Sequence, residues 1–280
     1  MRYLGGMRAV QLEEVSKRFG DYFALKDVSM EIEDGSSVLL VGKNGAGKST
    51  LLRCITGIIG FEGRILTLGM DVKKLGREVR RLVGYVPQNI RYQEDVRVVE
   101  LADYVADMKG VDVFLDEVLT PFGLQEVAYS KVGSLSSGMK QRLAISLALI
   151  GDPKLLILDE PFNNLDPMAR NKLSELLQTM VKRGRTVIAS VHTLSGLIHS
   201  FEYVAVLSDG RLVRMLEADE VSRIVKPIYK IHVRVGGSWR TYFTDDVFAK
   251  LSELADEGYD IRDAWIEEPD AEGLLRAIGG

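Results

Sequence analysis

Gly42, Lys43, Asn44, Gly45, Ala46, Gly47, Lys48, Ser49 and Thr50 run consecutively as GKNGAGKST, between the apolar stretch SVLLVG and the helical stretch LLRCITGI. The spacing fits G-x-x-x-x-G-K-[ST] in the strand–loop–helix setting that this pattern requires. Glycines at 42, 45 and 47 let backbone N–H groups turn inward around phosphate oxygens with no Cβ in the way. The helix that follows adds the positive end of its dipole. Lys48 has the length to reach terminal phosphates, and the Ser49 hydroxyl is a ligand for Mg²⁺, which takes few protein ligands and keeps its waters. The pattern predicts nucleotide binding.

A second cluster, KLLILDEP at 154–161, carries Asp159 and Glu160 at the end of a short apolar strand. Ligands of open α/β sheets sit at such strand ends. Alone, two acids after a strand read as a solvated strand end. Behind a phosphate loop they read as catalytic. Asp159 then holds the metal through its water shell, and Glu160 polarises an attacking water as general base.

With these two clusters the chain resembles the ATP-binding cassette (ABC) family of ATPases over roughly residues 8–220, and five further motifs match in the family's order. Phe19 stands where the family has an aromatic that stacks on adenine; by itself it would read as core. Gln88, in GYVPQ, matches the glutamine that senses the metal and attacking water and links them to a transport partner. LSSGMKQRL, from Leu135, matches the family signature. The resemblance implies that Ser136, Gly138 and the N–H groups of the helix beginning there face the γ-phosphate held by a second subunit. NNLDP, 163–167, brings Asp166 to the opposite cassette, and also reads as a helix N-cap with Pro167 at the first helical position. His192, in SVH, matches the histidine that contacts the γ-phosphate. The resemblance thus implies Lys48, Gln88, Glu160 and His192 as catalytic and Ser49, Gln88 and Asp159 as metal-holding, with ATP and Mg²⁺ bound. Two positions depart from LSGGQ: Ser137 gives up glycine's backbone freedom, and Met139 replaces a polar Gln as in exporter-like members.

The elements that must position these residues are legible as alternating strands and helices. AVQLEEV, SVLLVG, RLVGYV, KLLILD, RTVIAS and YVAVLS read as strands, several apolar enough to be buried on both faces. Helical patterns follow SVLLVG, KLLILD and RTVIAS, which predicts parallel pairing. Residues 20–35 and 61–69 read as antiparallel strands and turns. VVELADYVADMKG and DVFLDEVLTPFGL have helical spacing. After Pro227, IYKIHVRV alternates, GGS makes a turn, WRTYF returns, and DVFAKLSELADEG reads as an amphipathic helix ended by Gly258. The fold class expected is α/β: a P-loop NTPase core with a mixed β-sheet, an antiparallel β subdomain and a helical insert at about 89–150, all within 1–227. A small C-terminal α+β appendage occupies 228–280.

With 280 residues, 46% of them hydrophobic, the chain can bury one large core and a small second unit. The formal charge of −4 gives no general pull toward nucleic acid or anionic lipid, and the basic run Arg77–Arg81 reads as a solvated helix face. The single Cys54 rules out an internal disulfide and fits a reducing compartment. MRYLGGMRAV lacks the apolar region of a signal peptide, Met7 can itself serve as initiator, and no run approaches the ~20 apolar residues of a membrane span.

The expected function is the ATPase subunit of a transporter at the cytoplasmic face of the membrane. Its partners would be a second ATPase subunit, identical or not, and separate transmembrane permease subunits. Export is favoured by Met139 and by the ending IRDAWIEEPDAEGLLRAIGG, similar to drug and ABC-2-type exporter ATPases. DNA-maintenance members are disfavoured by the missing coiled coil, and translation-type members by the single cassette. A soluble single-cassette ATPase of iron–sulfur cluster assembly is the alternative.

Overall fold

The computed structural model describes residues 7–163, 165–193, 197–224, 229–235, 238–258 and 264–267. The chain starts with a long hairpin, β1 (Arg8–Phe19) and β2 (Tyr22–Glu33), then dives inward as β3 (Ser37–Val41). The glycine-rich loop follows and opens α1 (Lys48–Ile55). Strands β4 (Glu62–Thr67) and β5 (Met70–Asp71) return to the hairpin and complete an antiparallel sheet of order β2-β1-β4-β5. Helix α2 (Val72–Leu82) feeds β6 (Val83–Val86). An insert containing α3 (Val98–Lys109) and α4 (Leu115–Leu119) leads to α5 (Ser137–Ala148). Strand β7 (Leu155–Asp159), helix α6 (Pro167–Lys182) and strand β8 (Thr186–Val191) come next. The antiparallel pair β9 (Tyr203–Ser208) and β10 (Arg211–Glu217) and the short α7 (Ala218–Ile224) close this part.

The central sheet has six strands in the order β10-β9-β3-β8-β7-β6, all parallel except β10. Every residue of β3, β7 and β8 is buried, which is why those stretches are continuously apolar and do not alternate. Their side chains nevertheless divide by parity. Leu39, Val41, Leu156, Leu158, Val187 and Ala189 point to one face, where α5, α6 and α7 pack. Val38, Leu40, Leu155, Ile157, Ile188 and Ala205 point to the other, against α1 and the antiparallel sheet. Burying each such Leu, Ile or Val contributes about 1.5–3 kcal/mol, so a one-residue slip that exchanged the two faces would be heavily penalised.

Helix α5 is a joint. Ala144, Ile145 and Ala148 pack on the sheet, while Leu143 and Leu147 pack into the insert's own cluster with Val98, Ala102, Leu119 and Leu124. The run LAISLA at 143–148 is buried throughout because α5 is covered on both sides, and its one polar side chain, Ser146, donates to Val118 O at 2.7 Å. A three-stranded sheet of order β12-β11-β13, from β11 (Tyr229–Val235), β12 (Ser238–Thr244) and β13 (Ala264–Glu267), carries α8 (Val247–Asp256) on one face. Ile231, Val233 and Leu254 form its separate small cluster.

Several elements differ from the sequence expectation. No α-helix follows β8 among the described residues before β9; there is only a 3-10 turn at Ile198–Ser200. The RLVGYV strand begins at Val83, because Arg81 and Leu82 still belong to α2. DVFLDEVLTPFGL holds a helix of five residues that tightens to a 3-10 turn at Thr120–Phe122, where Pro121 cannot donate a helical hydrogen bond. The 227/228 boundary, the turn at Gly236–Gly237 and most of the ending from Ile261 lie outside the described residues. Among the described residues, no helix is long and apolar enough to cross a membrane.

Candidate nucleotide site

The C-terminal ends of the parallel strands deliver the site. β3 ends in the glycine-rich loop, β7 in Asp159, β8 just before His192, and β6 just before Gln88. Register places Val41 beside Val191 and Asp159 beside Ser190. A cleft of about 520 Å³ results, whose lining includes Phe19, Ser49, Thr50, Gln88, Glu160 and His192. Asn44, Gly45, Gly47 and Lys48 form its floor from the loop. Gly42, Lys43 and Ala46 lie behind this lining: Ala46 is buried, and the carbonyls of Gly42 and Lys43 accept from Lys48.

Glycine is required in this loop for two reasons. Gly47 has φ of 104°, and a Cβ there would stand 2.5 Å from the Ala24 carbonyl oxygen. At Gly42 a Cβ would come within 2.4 Å of the Leu207 carbonyl oxygen, so the loop is pressed against two neighbouring strands.

Lys48 is 5% exposed. Its Nζ donates to Gly42 O at 2.6 Å and Lys43 O at 3.1 Å, and lies 3.5 Å from Glu160 Oε1. Burial lowers its pKa, and the nearby charges of Glu160 and Asp159 partly oppose that. Glu160 is almost as buried, with φ of 52° in the left-handed region. Its Oε2 accepts from Asn163 Nδ2 at 2.6 Å and lies 3.2 Å from His192 Nδ1. The two acids share one support. The Ser190 hydroxyl donates to Asp159 Oδ1 at 2.7 Å and accepts from the Glu160 N–H at 2.9 Å.

The other carboxylate oxygen of Asp159, Oδ2, is buried with no hydrogen-bond partner among the described residues. An orphaned acceptor of this kind is costly unless something fills the gap, and a water in the shell of a divalent cation would satisfy it. Ser49, Gln88 and Asp159 offer a hydroxyl, an amide and a carboxylate, all hard oxygen donors, so the donor set fits Mg²⁺.

Ser136, Gly138 and Asp166 are not in this cleft. They line a separate groove, also about 520 Å³, between α5 and α6. Ser136 caps α5 by accepting from Met139 N–H at 3.2 Å, and Asp166 caps α6 by accepting from Ala169 N–H at 2.9 Å. Two helix N-termini therefore open on one groove. Ser137 is inside the first turn of α5 and is not among the residues with positive φ, so it forfeits no glycine conformation. Met139 packs against the insert's apolar cluster. Gln141 Nε2 donates to Pro161 O at 3.2 Å, which ties α5 to the turn after Glu160.

Three residues at or behind the cleft carry no signal in the sequence. Asn163 sits inside NNLDP, whose matched residue is Asp166. Ser190 is invisible without the strand order that sets it beside Asp159. Tyr22 lines the cleft opposite Phe19 across the hairpin turn, with its hydroxyl 3.3 Å from Gly45 O.

A mixed sheet with a glycine-rich loop after β3 and paired acids after β7 defines a P-loop nucleotide hydrolase. The ABC transporter family model matches residues 25–163. The chain is 34% identical to the Nod factor export ATP-binding protein I of Rhizobium etli over 213 residues, 74% of this chain and 67% of that one. It is 33% identical to the lantibiotic transport ATP-binding protein SrtF of Streptococcus pyogenes over 218 residues, 75% and 91% of the two chains. A solved ATP-binding subunit of an ABC transporter superposes with a TM-score of 0.72 at 28% identity, covering 77% of this chain and 92% of that one. A dimeric ATP-binding cassette in a post-hydrolysis state with ADP and Pi superposes with a TM-score of 0.69 at 25% identity, covering 75% and 98%. The chain belongs to the ABC transporter family, as an ATP-binding and ATP-hydrolysing subunit.

Proposed function

We propose that the chain powers export: two ATPase subunits clamp two ATP molecules, and their hydrolysis resets separate membrane permease subunits. The observation that carries this reading is the placement of Glu160 in the cleft, between Lys48 and His192. In the reading, the phosphates of ATP take Lys48 from the loop carbonyls, Phe19 stacks on adenine, and His192 turns to the γ-phosphate. Glu160 accepts a proton from water as its oxygen bonds to the γ-phosphorus. The bond to the β–γ bridging oxygen breaks, and ADP leaves with the electron pair. Mg²⁺, held by Ser49, Gln88 and the water shell at Asp159, neutralises phosphate charge when bound.

Ser136, Gly138 and Asp166 line a groove apart from the cleft, which suits contacts to nucleotide on a second subunit. A two-fold arrangement then completes both sites at once. Relatives named for Nod factor export and lantibiotic transport support an exporter over an iron–sulfur assembly ATPase. Residues 1–227 are read as the ATPase domain and 228–280 as an appendage, and the subunit is read as sitting at the cytoplasmic face of the membrane.

The test is the dependence of Mg²⁺-ATP turnover on protein concentration. A rate per subunit that rises with concentration and then saturates is expected for a site completed between subunits. A rate per subunit that stays constant down to nanomolar protein, with only monomers present, would overturn the reading.

A further inference from the structure

Asn163 is absorbed by none of the roles above, yet it makes the shortest contact to Glu160. Its Nδ2 donates to Glu160 Oε2 at 2.6 Å, and its own N–H donates to the Glu160 carbonyl at 3.3 Å. The side chain is part-buried and lines the same cleft as Lys48 and His192. We infer that Asn163 is a positioning residue for hydrolysis, acting by holding the Glu160 carboxylate in its working orientation.

Nucleotide binding changes which donors remain on the Glu160 carboxylate. Among the described residues, three side chains reach the carboxylate: Lys48 at Oε1, and His192 and Asn163 at Oε2. Lys48 and His192 are the two that an incoming phosphate recruits. Asn163 belongs to the same tight turn as Glu160, so its amide travels with the acid and stays. A glutamate has three side-chain torsions, and an unheld carboxylate would sample orientations that do not face the attacking water. A short hydrogen bond to an ionised oxygen is among the stronger neutral–charged contacts available. With Oε2 anchored, Oε1 is the oxygen left to face the attacking water. Asn163 also stands three residues before Asp166, the cap of α6.

The inference rests on Glu160 being the general base, and the test separates the two. Asn163→Leu removes the donor at similar volume, and Asn163→Gln keeps an amide. Steady-state turnover, and affinity for a fluorescent ATP analogue, are measured for each alone and in a Glu160→Gln background. Asn163→Leu should lower kcat about 10–100-fold while KM and analogue affinity stay within about threefold. Asn163→Gln should recover at least part of that loss. In the Glu160→Gln background, Asn163→Leu should change residual turnover by less than about twofold, because nothing remains for it to orient. An equal loss in both backgrounds, an unchanged kcat, or a fall in analogue affinity that accounts for the whole effect would overturn the inference. Full turnover by Glu160→Gln alone would instead remove the base assignment.

Discussion

Gly47→Ala and Gly45→Ala differ by two positions in the same loop, and their geometry predicts different outcomes. Both glycines have positive φ, 104° and 83°. An alanine at either site therefore carries backbone strain of about 1–3 kcal/mol. At Gly45 the added methyl meets nothing within 4 Å. At Gly47 it would lie 2.5 Å from the Ala24 carbonyl oxygen and 3.0 Å from Leu25 Cδ2, both on β2. A main-chain carbonyl in a paired strand cannot swing away cheaply, and overpacking of this kind costs about 1–3 kcal/mol more. Urea unfolding should therefore rank Gly47→Ala below Gly45→Ala by about 1–3 kcal/mol. Nucleotide binding should separate them further. Gly45→Ala should weaken ATP in a stable protein, since its methyl enters the phosphate space, whereas Gly47→Ala should lose stability and affinity together. Equal stability of the two variants would refute the claim that the loop is pressed against β2.

Other substitutions probe other levels of the structure. Ser190→Ala deletes a donor to Asp159 and an acceptor for the Glu160 N–H, and leaving these buried groups unpaired should cost about 1–3 kcal/mol in denaturant unfolding; a change under about 0.5 kcal/mol would contradict the shared support. Both tryptophans of the chain, Trp239 and Trp265, are in the C-terminal sheet. Leu254→Ala, in the small cluster with Ile231 and Val233, should cost about 2–4 kcal/mol locally. Tryptophan emission should then shift to the red while ATP affinity holds, and loss of ATP binding in step with the shift would show one cooperative unit. Lys109 donates to Ile150 O at 2.7 Å, and burial lowers its pKa to about 8 from 10.5. Between those values the unfolded chain binds the proton more tightly, so stability should rise with pH across that window. Lys109→Met should flatten the rise, and superimposable profiles for the two proteins would contradict it.

Much of the site was legible because phosphate chemistry forces local sequence. GKNGAGKST and LDEP must each be contiguous, since a backbone cradle and paired strand-end acids are built from consecutive residues. The buried strands were legible for a related reason: β3, β7 and β8 are covered on both faces and so are apolar throughout. What escaped depends on strand order and on side-chain direction. Ser190 matters only because β8 lies beside β7, an adjacency 31 residues apart in the chain. Asn163 acts through the orientation of one amide, which no spacing encodes. The segment after RTVIAS has helical-looking residues, yet among the described residues between β8 and β9 there is only a short 3-10 turn at Ile198–Ser200. Met139, which replaces a polar Gln in the signature, packs against the insert's apolar cluster and also lines the groove with Ser136 and Gly138.

The central claim is that Glu160 serves as the base in a site closed by a second subunit. It is tested most directly by Glu160→Gln mixed with Mg²⁺-ATP, followed by size-exclusion chromatography with light scattering and a turnover assay. The expected result is a dimer that forms with ATP and not with ADP, holding unhydrolysed nucleotide, with turnover down about 10²–10⁴-fold. A variant that stays monomeric at saturating ATP, or that hydrolyses ATP at the parent rate, would contradict it.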